Sequence, residues 1–159
     1  MNNMKIEIGH PAPGFTLYDS AKNKITLSDQ QGQNVLLLFF PLAFTSTCTA
    51  ELCSVRDNIS FYNNANAKVF GISVDSLHTL AKYKAEQNLN FSLLSDFNKE
   101  VSTAYGSIYD MFSYNMKGVS KRSAFIIDTL GIVRYAEVLE NASEQPNFKD
   151  IALILEGLK

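Results

Sequence analysis

Cys48 and Cys53 are the only thiols in this 159-residue chain. A thiol acts as a nucleophile in its anionic form. That anion is favoured where a strand ends in a loop and delivers the cysteine to the first turn of a helix. Unpaired N–H groups and the positive end of the helix dipole both point at such a sulfur. The segment Pro41-Leu42-Ala43-Phe44-Thr45-Ser46-Thr47-Cys48 has this form, because an apolar run precedes it and a helical periodicity follows it. Pro41 cannot donate to a sheet ladder, so it ends the strand and shapes the pocket. Thr45 carries a hydroxyl that can contact both the sulfur and an incoming oxygen atom. The competing reading of Cys48 is a buried structural cysteine.

The elements that must position these residues follow from periodicity. Residues 15–19 and 25–27 alternate apolar with polar side chains around a turn-rich segment, which predicts an N-terminal hairpin. Residues 35–40 are apolar throughout, as in a strand covered on both faces. Cys48, Leu52, Val55, Ile59 and Tyr62 then recur at three- and four-residue steps on one helical face, with Ser46 and Thr47 as capping residues. Residues 68–74 read as the next central strand, and Asp75 or Ser76 caps a helix running to about residue 89. Residues 91–94 read as a short strand and 98–105 as a short helix. Residues 123–127 and 132–139 flank the turn Asp128-Thr129-Leu130-Gly131, and 147–158 is a terminal amphipathic helix. Crossover helices beside apolar strands imply an α/β fold with a mixed central sheet flanked by helices. This order resembles the thioredoxin-like plan with an N-terminal β-hairpin extension and an insertion near residues 106–119. No repeat or linker divides residues 1–159, so a single domain is expected.

A chain of this length buries a substantial core. Its net charge of −2 gives no electrostatic case for nucleic acid or an anionic membrane. No apolar run approaches the roughly 20 residues that span a bilayer. Met1–Ile8 lacks an apolar core of signal-peptide length, and two cysteines do not make a secreted disulfide scaffold, so a cytoplasmic location is expected. His10 and His78 have no ligand spacing to each other or to a cysteine, and no phosphate loop or dinucleotide fingerprint is present. The expectation is therefore no metal and no bound cofactor, only an external reductant. The aromatic and methionine-rich stretch Tyr105–Met116 is read by default as core packing, with an exposed aromatic and methionine patch as the alternative.

Pro41-x-x-x-Thr45-x-x-Cys48 resembles the peroxiredoxin active-site signature, Pro-x-x-x-(Thr/Ser)-x-x-Cys, at every defined position. Arg122 sits in a context similar to that of the family's late-strand arginine, and the resemblance runs from Pro11 to the last hairpin. It implies a thiol-dependent peroxidase. The Cys48 thiolate would attack one peroxide oxygen while the other leaves carrying negative charge, and Cys48 would become a sulfenic acid. Arg122 would favour the thiolate, and with nearby backbone N–H groups it would stabilise the leaving oxygen. Thr45 would orient the peroxide, and Pro41 would keep water from the sulfenic acid. Glu51 resembles a carboxylate often found just after such a cysteine. Its roles there would be a hydrogen bond to Arg122, an anchor for the loop, or a complement to the helix start. The implied partners are a peroxide and a thioredoxin-like or other thiol reductant, with a monomer or homodimer as the working unit. Loops near residues 105–116 help form a dimer interface in the family.

The Cys-x4-Cys pair resembles that of the bacterioferritin-comigratory (PrxQ-type) members, which would make Cys53 the resolving residue. The loop Phe39-Phe40-Pro41-Leu42-Ala43-Phe44-Thr45 looks closer to the AhpE-like group, where a cysteine at that position is not a fixed feature. On a regular helix five residues give a Cα separation of roughly 8.7 Å, beyond the limit of about 7 Å for a disulfide. Resolution by Cys53 therefore demands that the first helical turns unwind. The alternatives are a one-Cys peroxidase resolved by an external thiol and a redox-responsive binding protein or chaperone. A thiol–disulfide oxidoreductase of the thioredoxin kind would want Cys-x-x-Cys instead.

Overall fold

The computed structural model describes residues 6–158, so the expectation drawn from Met1–Ile8 falls mostly outside them. Along the chain come β1 (Thr16–Asp19), β2 (Lys24–Thr26), β3 (Asn34–Phe39), α1 (Ser46–Asp57), α2 (Ile59–Asn64), β4 (Ala67–Ser73) and α3 (Leu77–Glu86). They are followed by β5 (Ser92–Ser95), α4 (Glu100–Ala104), β6 (Arg122–Ile127), β7 (Val133–Leu139) and α5 (Phe148–Gly157). One seven-stranded sheet has the order β2-β1-β5-β4-β3-β6-β7. The pairs β3/β4 and β4/β5 are parallel, and the remaining pairs are antiparallel. The N-terminal hairpin extends this sheet through β1 against β5, so the mixed α/β plan expected from the sequence is the one observed. No helix among the described residues is long and apolar enough to cross a membrane.

Strand β3 is apolar at every position after Asn34 because it is covered on both faces. Leu36, Leu38 and Phe40 enter a core with Leu52 and Val55 of α1, Leu80 and Tyr83 of α3, and Ile151 and Leu155 of α5. The alternate residues Val35, Leu37 and Phe39 enter a second core with Val101 and Tyr105. Period-two alternation thus divides one hydrophobic run between two layers.

Three local expectations change. The single helical face through Cys48 and Tyr62 is two helices, because Asn58 leaves helical geometry (φ −117°, ψ 21°). Its side-chain amide donates to Ser54 O at 2.8 Å, a local bond that competes with the helix ladder. Ser46 and Thr47 do not cap α1; Thr45 occupies that position in extended geometry. Within the Tyr105–Met116 stretch only Tyr105 is a fully buried core residue, whereas Met111 and Tyr114 are exposed. Bridges Ile108–Ser120 and Phe112–Met116 fold the segment into a small surface hairpin instead.

Ser76, not Asp75, caps α3, its Oγ accepting from Thr79 N at 3.1 Å. Ser76→Ala removes that acceptor. Stability is expected to fall by about 1 kcal/mol, seen as a lower urea midpoint with an unchanged slope.

Candidate active site

The loop leaving β3 carries Cys48 to the start of α1. The first backbone bond of that helix runs from Thr49 N to Thr45 O at 3.0 Å. The N–H groups of Ser46, Thr47 and Cys48 thus precede the intrahelical ladder, at the positive end of the helix. Cys48 is completely buried by its own helix and the sheet, and both cysteines are free.

Strand register explains the arrival of Arg122. Leu38 pairs with Ala124 and Leu36 with Ile126 across β3 and β6, and all four lie in the core beneath α1. Two residues before Ala124, Arg122 lies on that same face, beside the end of β3 where the cysteine loop departs. Its guanidinium is 1% exposed, so its charge must be compensated from within. Nη2 donates to Cys48 Sγ at 3.2 Å and to Ala142 O at 2.8 Å. Nη1 donates to Glu51 Oε1 at 2.7 Å, and Nε donates to Ala142 O at 3.1 Å. Burial works against the charged guanidinium, but Glu51 and then Cys48 outweigh it and hold Arg122 above its ordinary value.

Glu51 lies one turn after Cys48 on α1, and of the three roles open to it the structure assigns the bond to Arg122. The residue is fully buried, and its Oε2 has no hydrogen-bond donor among the described residues. Burial raises its pKa from 4.5 to about 7, against the lowering effect of Arg122 and with a smaller upward push from Glu137.

Pro41, Thr45, Cys48, Phe112 and Arg122, with Ala142 behind them, line a pocket of about 220 Å³. Thr45 donates its hydroxyl hydrogen to Leu42 O at 2.9 Å. The structure therefore gathers Pro41, Thr45, Cys48, Glu51 and Arg122 in one place. Cys53 stands apart, half-buried, with Sγ donating to Oε1 of Gln87, the C-cap of α3, at 3.6 Å. Three contributors escape the sequence reading. Asp75 Oδ2 accepts from Ala43 N at 2.8 Å and from Ser73 Oγ at 2.7 Å, which ties the cysteine loop to the end of β4. The carbonyl of Ala142 holds Arg122 from the loop after β7. Phe112 closes the pocket from the surface hairpin. Of the three, Asp75 had a sequence signal that pointed to a helix cap, Phe112 lay in the aromatic stretch assigned to core packing, and Ala142 had none.

A buried arginine forked between a helix-start cysteine and a carboxylate, on a mixed sheet of this order, defines a thiol-based redox site. The AhpC/TSA family matches residues 8–136. The chain belongs to that family, the peroxiredoxins, and is a thiol-dependent peroxidase. It is 38% identical over 136 residues to alkyl hydroperoxide reductase E of Mycobacterium tuberculosis, covering 84% of this chain and 86% of that one. A putative peroxiredoxin bcp of Coxiella burnetii is 39% identical over 132 residues, covering 82% and 87%. Among solved structures, peroxidoxin BcpB of M. tuberculosis superposes with a TM-score of 0.85 at 26% identity, covering 97% of this chain and 99% of that one.

Because the folded value of Glu51 lies above its unfolded one, the native state binds its proton more tightly. The stability this contributes is complete below about pH 4.5 and is lost as pH rises to about 7. Glu51→Gln keeps an oxygen for Arg122 and removes the titration. Urea midpoints between pH 4.5 and 8 are expected to decline toward pH 7 more steeply in the wild type than in Glu51→Gln. Parallel profiles would contradict the assignment.

Proposed function

We propose that the chain reduces hydrogen peroxide and small organic hydroperoxides at Cys48, and that Cys53 resolves the product. The single observation that carries this reading is the 3.2 Å contact from Arg122 Nη2 to Cys48 Sγ in the wall of the pocket. A cation that donates directly to the sulfur favours the thiolate, and the same fork is in place for negative charge on the departing oxygen. The thiolate attacks the nearer peroxide oxygen, the O–O bond breaks, and the far oxygen leaves as hydroxide or alkoxide and takes up a proton. Since the Thr45 hydrogen is committed to Leu42 O, Thr45 Oγ1 acts as an acceptor for the peroxide hydrogen and aligns the O–O bond. Buried Pro41 limits water at the sulfenic acid. A pocket of about 220 Å³ walled partly by Phe112 and Ala142 exceeds the roughly 30 Å³ of a water-sized molecule. That supports organic peroxides as substrates beside hydrogen peroxide.

Cys48 sulfenic acid then condenses with the Cys53 thiol to a disulfide and water, and an external dithiol of the thioredoxin kind reduces the disulfide. Both cysteines sit on one helix of one chain, so in this reading the monomer is a complete catalyst. Recycling by external thiols fits the reducing cytoplasm.

Peptide mapping after one equivalent of peroxide is expected to find a Cys48–Cys53 disulfide. Cys48→Ser abolishes peroxide consumption, whereas Cys53→Ser retains the first oxidation and stalls at a sulfenic or sulfinic Cys48. A wild type that itself stalls there would remove Cys53 from the cycle and favour the one-Cys alternative.

A further inference from the structure

We infer that Tyr83 of α3 and Gln87, the residue that caps its C-terminus, are a latch on the first turns of α1, which sets how fast oxidised Cys48 reaches Cys53. The inference rests on the reading of Cys53 as the resolving residue.

Both cysteines lie inside α1, so the disulfide cannot form until residues between them leave helical geometry. Two contacts from α3 resist that. Tyr83, fully buried, shares a 2.8 Å hydrogen bond between its hydroxyl and Thr49 Oγ1. One turn later Gln87 Oε1 accepts from Cys53 Sγ at 3.6 Å, and Gln87 O accepts from Arg56 Nη1 at 2.6 Å. The spacing matches on both sides: Thr49 and Cys53, four apart on α1, meet Tyr83 and Gln87, four apart in the last turn and C-cap of α3. The same tyrosine ring also holds the loop in front of the helix. Phe44, half-exposed and in the left-handed region at φ +66°, packs on it with centroids 4.9 Å apart. That conformation is unfavourable for a residue with a Cβ, so release from Tyr83 frees the loop to relax.

Unwinding also breaks the Glu51–Arg122 pair, but that pair belongs to the oxidation step and cannot be varied without harming it. Neither Tyr83 nor Gln87 lines the peroxide pocket, and their hydrogen bonds to α1 go to Thr49, Cys53 and Arg56. They are positioning residues that act on the second step alone. In that step the Cys48–OH group and the Cys53 S–H proton leave as water while the S–S bond forms. A second peroxide competes by oxidising the sulfenic acid to the sulfinic acid. The latch therefore sets the share of turnovers lost to over-oxidation.

Rapid quench with thiol alkylation and mass spectrometry gives the two rates separately. Tyr83→Phe deletes one oxygen atom and keeps the ring. Its oxidation rate is expected within about twofold of wild type, while disulfide formation quickens about fivefold, the factor carried by one net hydrogen bond. The peroxide dose that produces sulfinic Cys48 rises in proportion. Gln87→Ala shifts the same two readouts in the same direction, and Thr49→Val adds nothing to Tyr83→Phe because both delete one bond. A disulfide rate unmoved in Tyr83→Phe and Gln87→Ala, or oxidation and resolution slowing together, overturns the latch and leaves the role of Cys53 intact. A wild type that forms no disulfide overturns both.

Discussion

The structure depends on a guanidinium taken out of water. Arg122 is all but inaccessible, and an uncompensated buried cation is unstable enough to be avoided, so its surroundings are dictated by its donors. The neighbours answer with the Cys48 sulfur, one oxygen of Glu51 and the carbonyl of Ala142, which receives two bonds. Each comes from a different part of the chain or turn of the helix: the start of α1, its second turn, and the loop after β7. One charge thereby fixes the rotation of α1 over the sheet and the path of a surface loop, and it leaves Cys48 as a sulfur next to a donor. Glu51 shows how tightly the charges are balanced. It supplies an anion to Arg122, yet burial raises its pKa to about 7, so near neutral pH it is divided between its charged and protonated forms.

Under the proposed resolution by Cys53, the same helix serves two demands that conflict. Favouring a thiolate requires the first turn of α1 wound, with its N–H groups and dipole aimed at Cys48. Bonding Cys48 to Cys53 requires those turns opened, because five helical residues hold the sulfurs apart. The contacts along α1 divide accordingly. Arg122 and Asp75 hold the side that faces the peroxide, through Glu51 and Ala43. Tyr83 and Gln87 hold the flank where Cys53 lies. Under the proposed resolution by Cys53, the helix would alternate between wound and unwound turns, with those holds on separate residues.

How much of this was legible in the sequence depends on distance along the chain. Pro41, Thr45 and Cys48 lie within eight residues, so their types and spacing carry the site without knowledge of the fold. Arg122 came through family resemblance. The face it uses follows only from the pairing of Leu38 with Ala124, and single-sequence periodicity does not supply cross-strand register. Ala142 contributes through its backbone carbonyl, a group every residue possesses, so no side chain could announce it. Tyr83 escaped notice in the sequence, because its hydroxyl meets Thr49 from another element. Asp75 and Ser76 were interchangeable as caps in sequence, and tertiary demand separated them, with the serine on α3 and the aspartate on the cysteine loop. The break at Asn58 was hidden because the apolar face continues across it into α2.

The claim on which everything rests is that Arg122 works by its fork geometry and not by charge alone. A lysine keeps the charge but cannot reach the sulfur, the carboxylate and the carbonyl at once. The direct measurement is the second-order rate of Cys48 oxidation by hydrogen peroxide in Arg122→Lys, compared with Arg122, both in a Cys53→Ser background so that resolution does not intrude. A fall of about a hundredfold or more is predicted, the scale of losing an oriented donor to a developing anion. A lysine variant that oxidises within about threefold of its parent would contradict it.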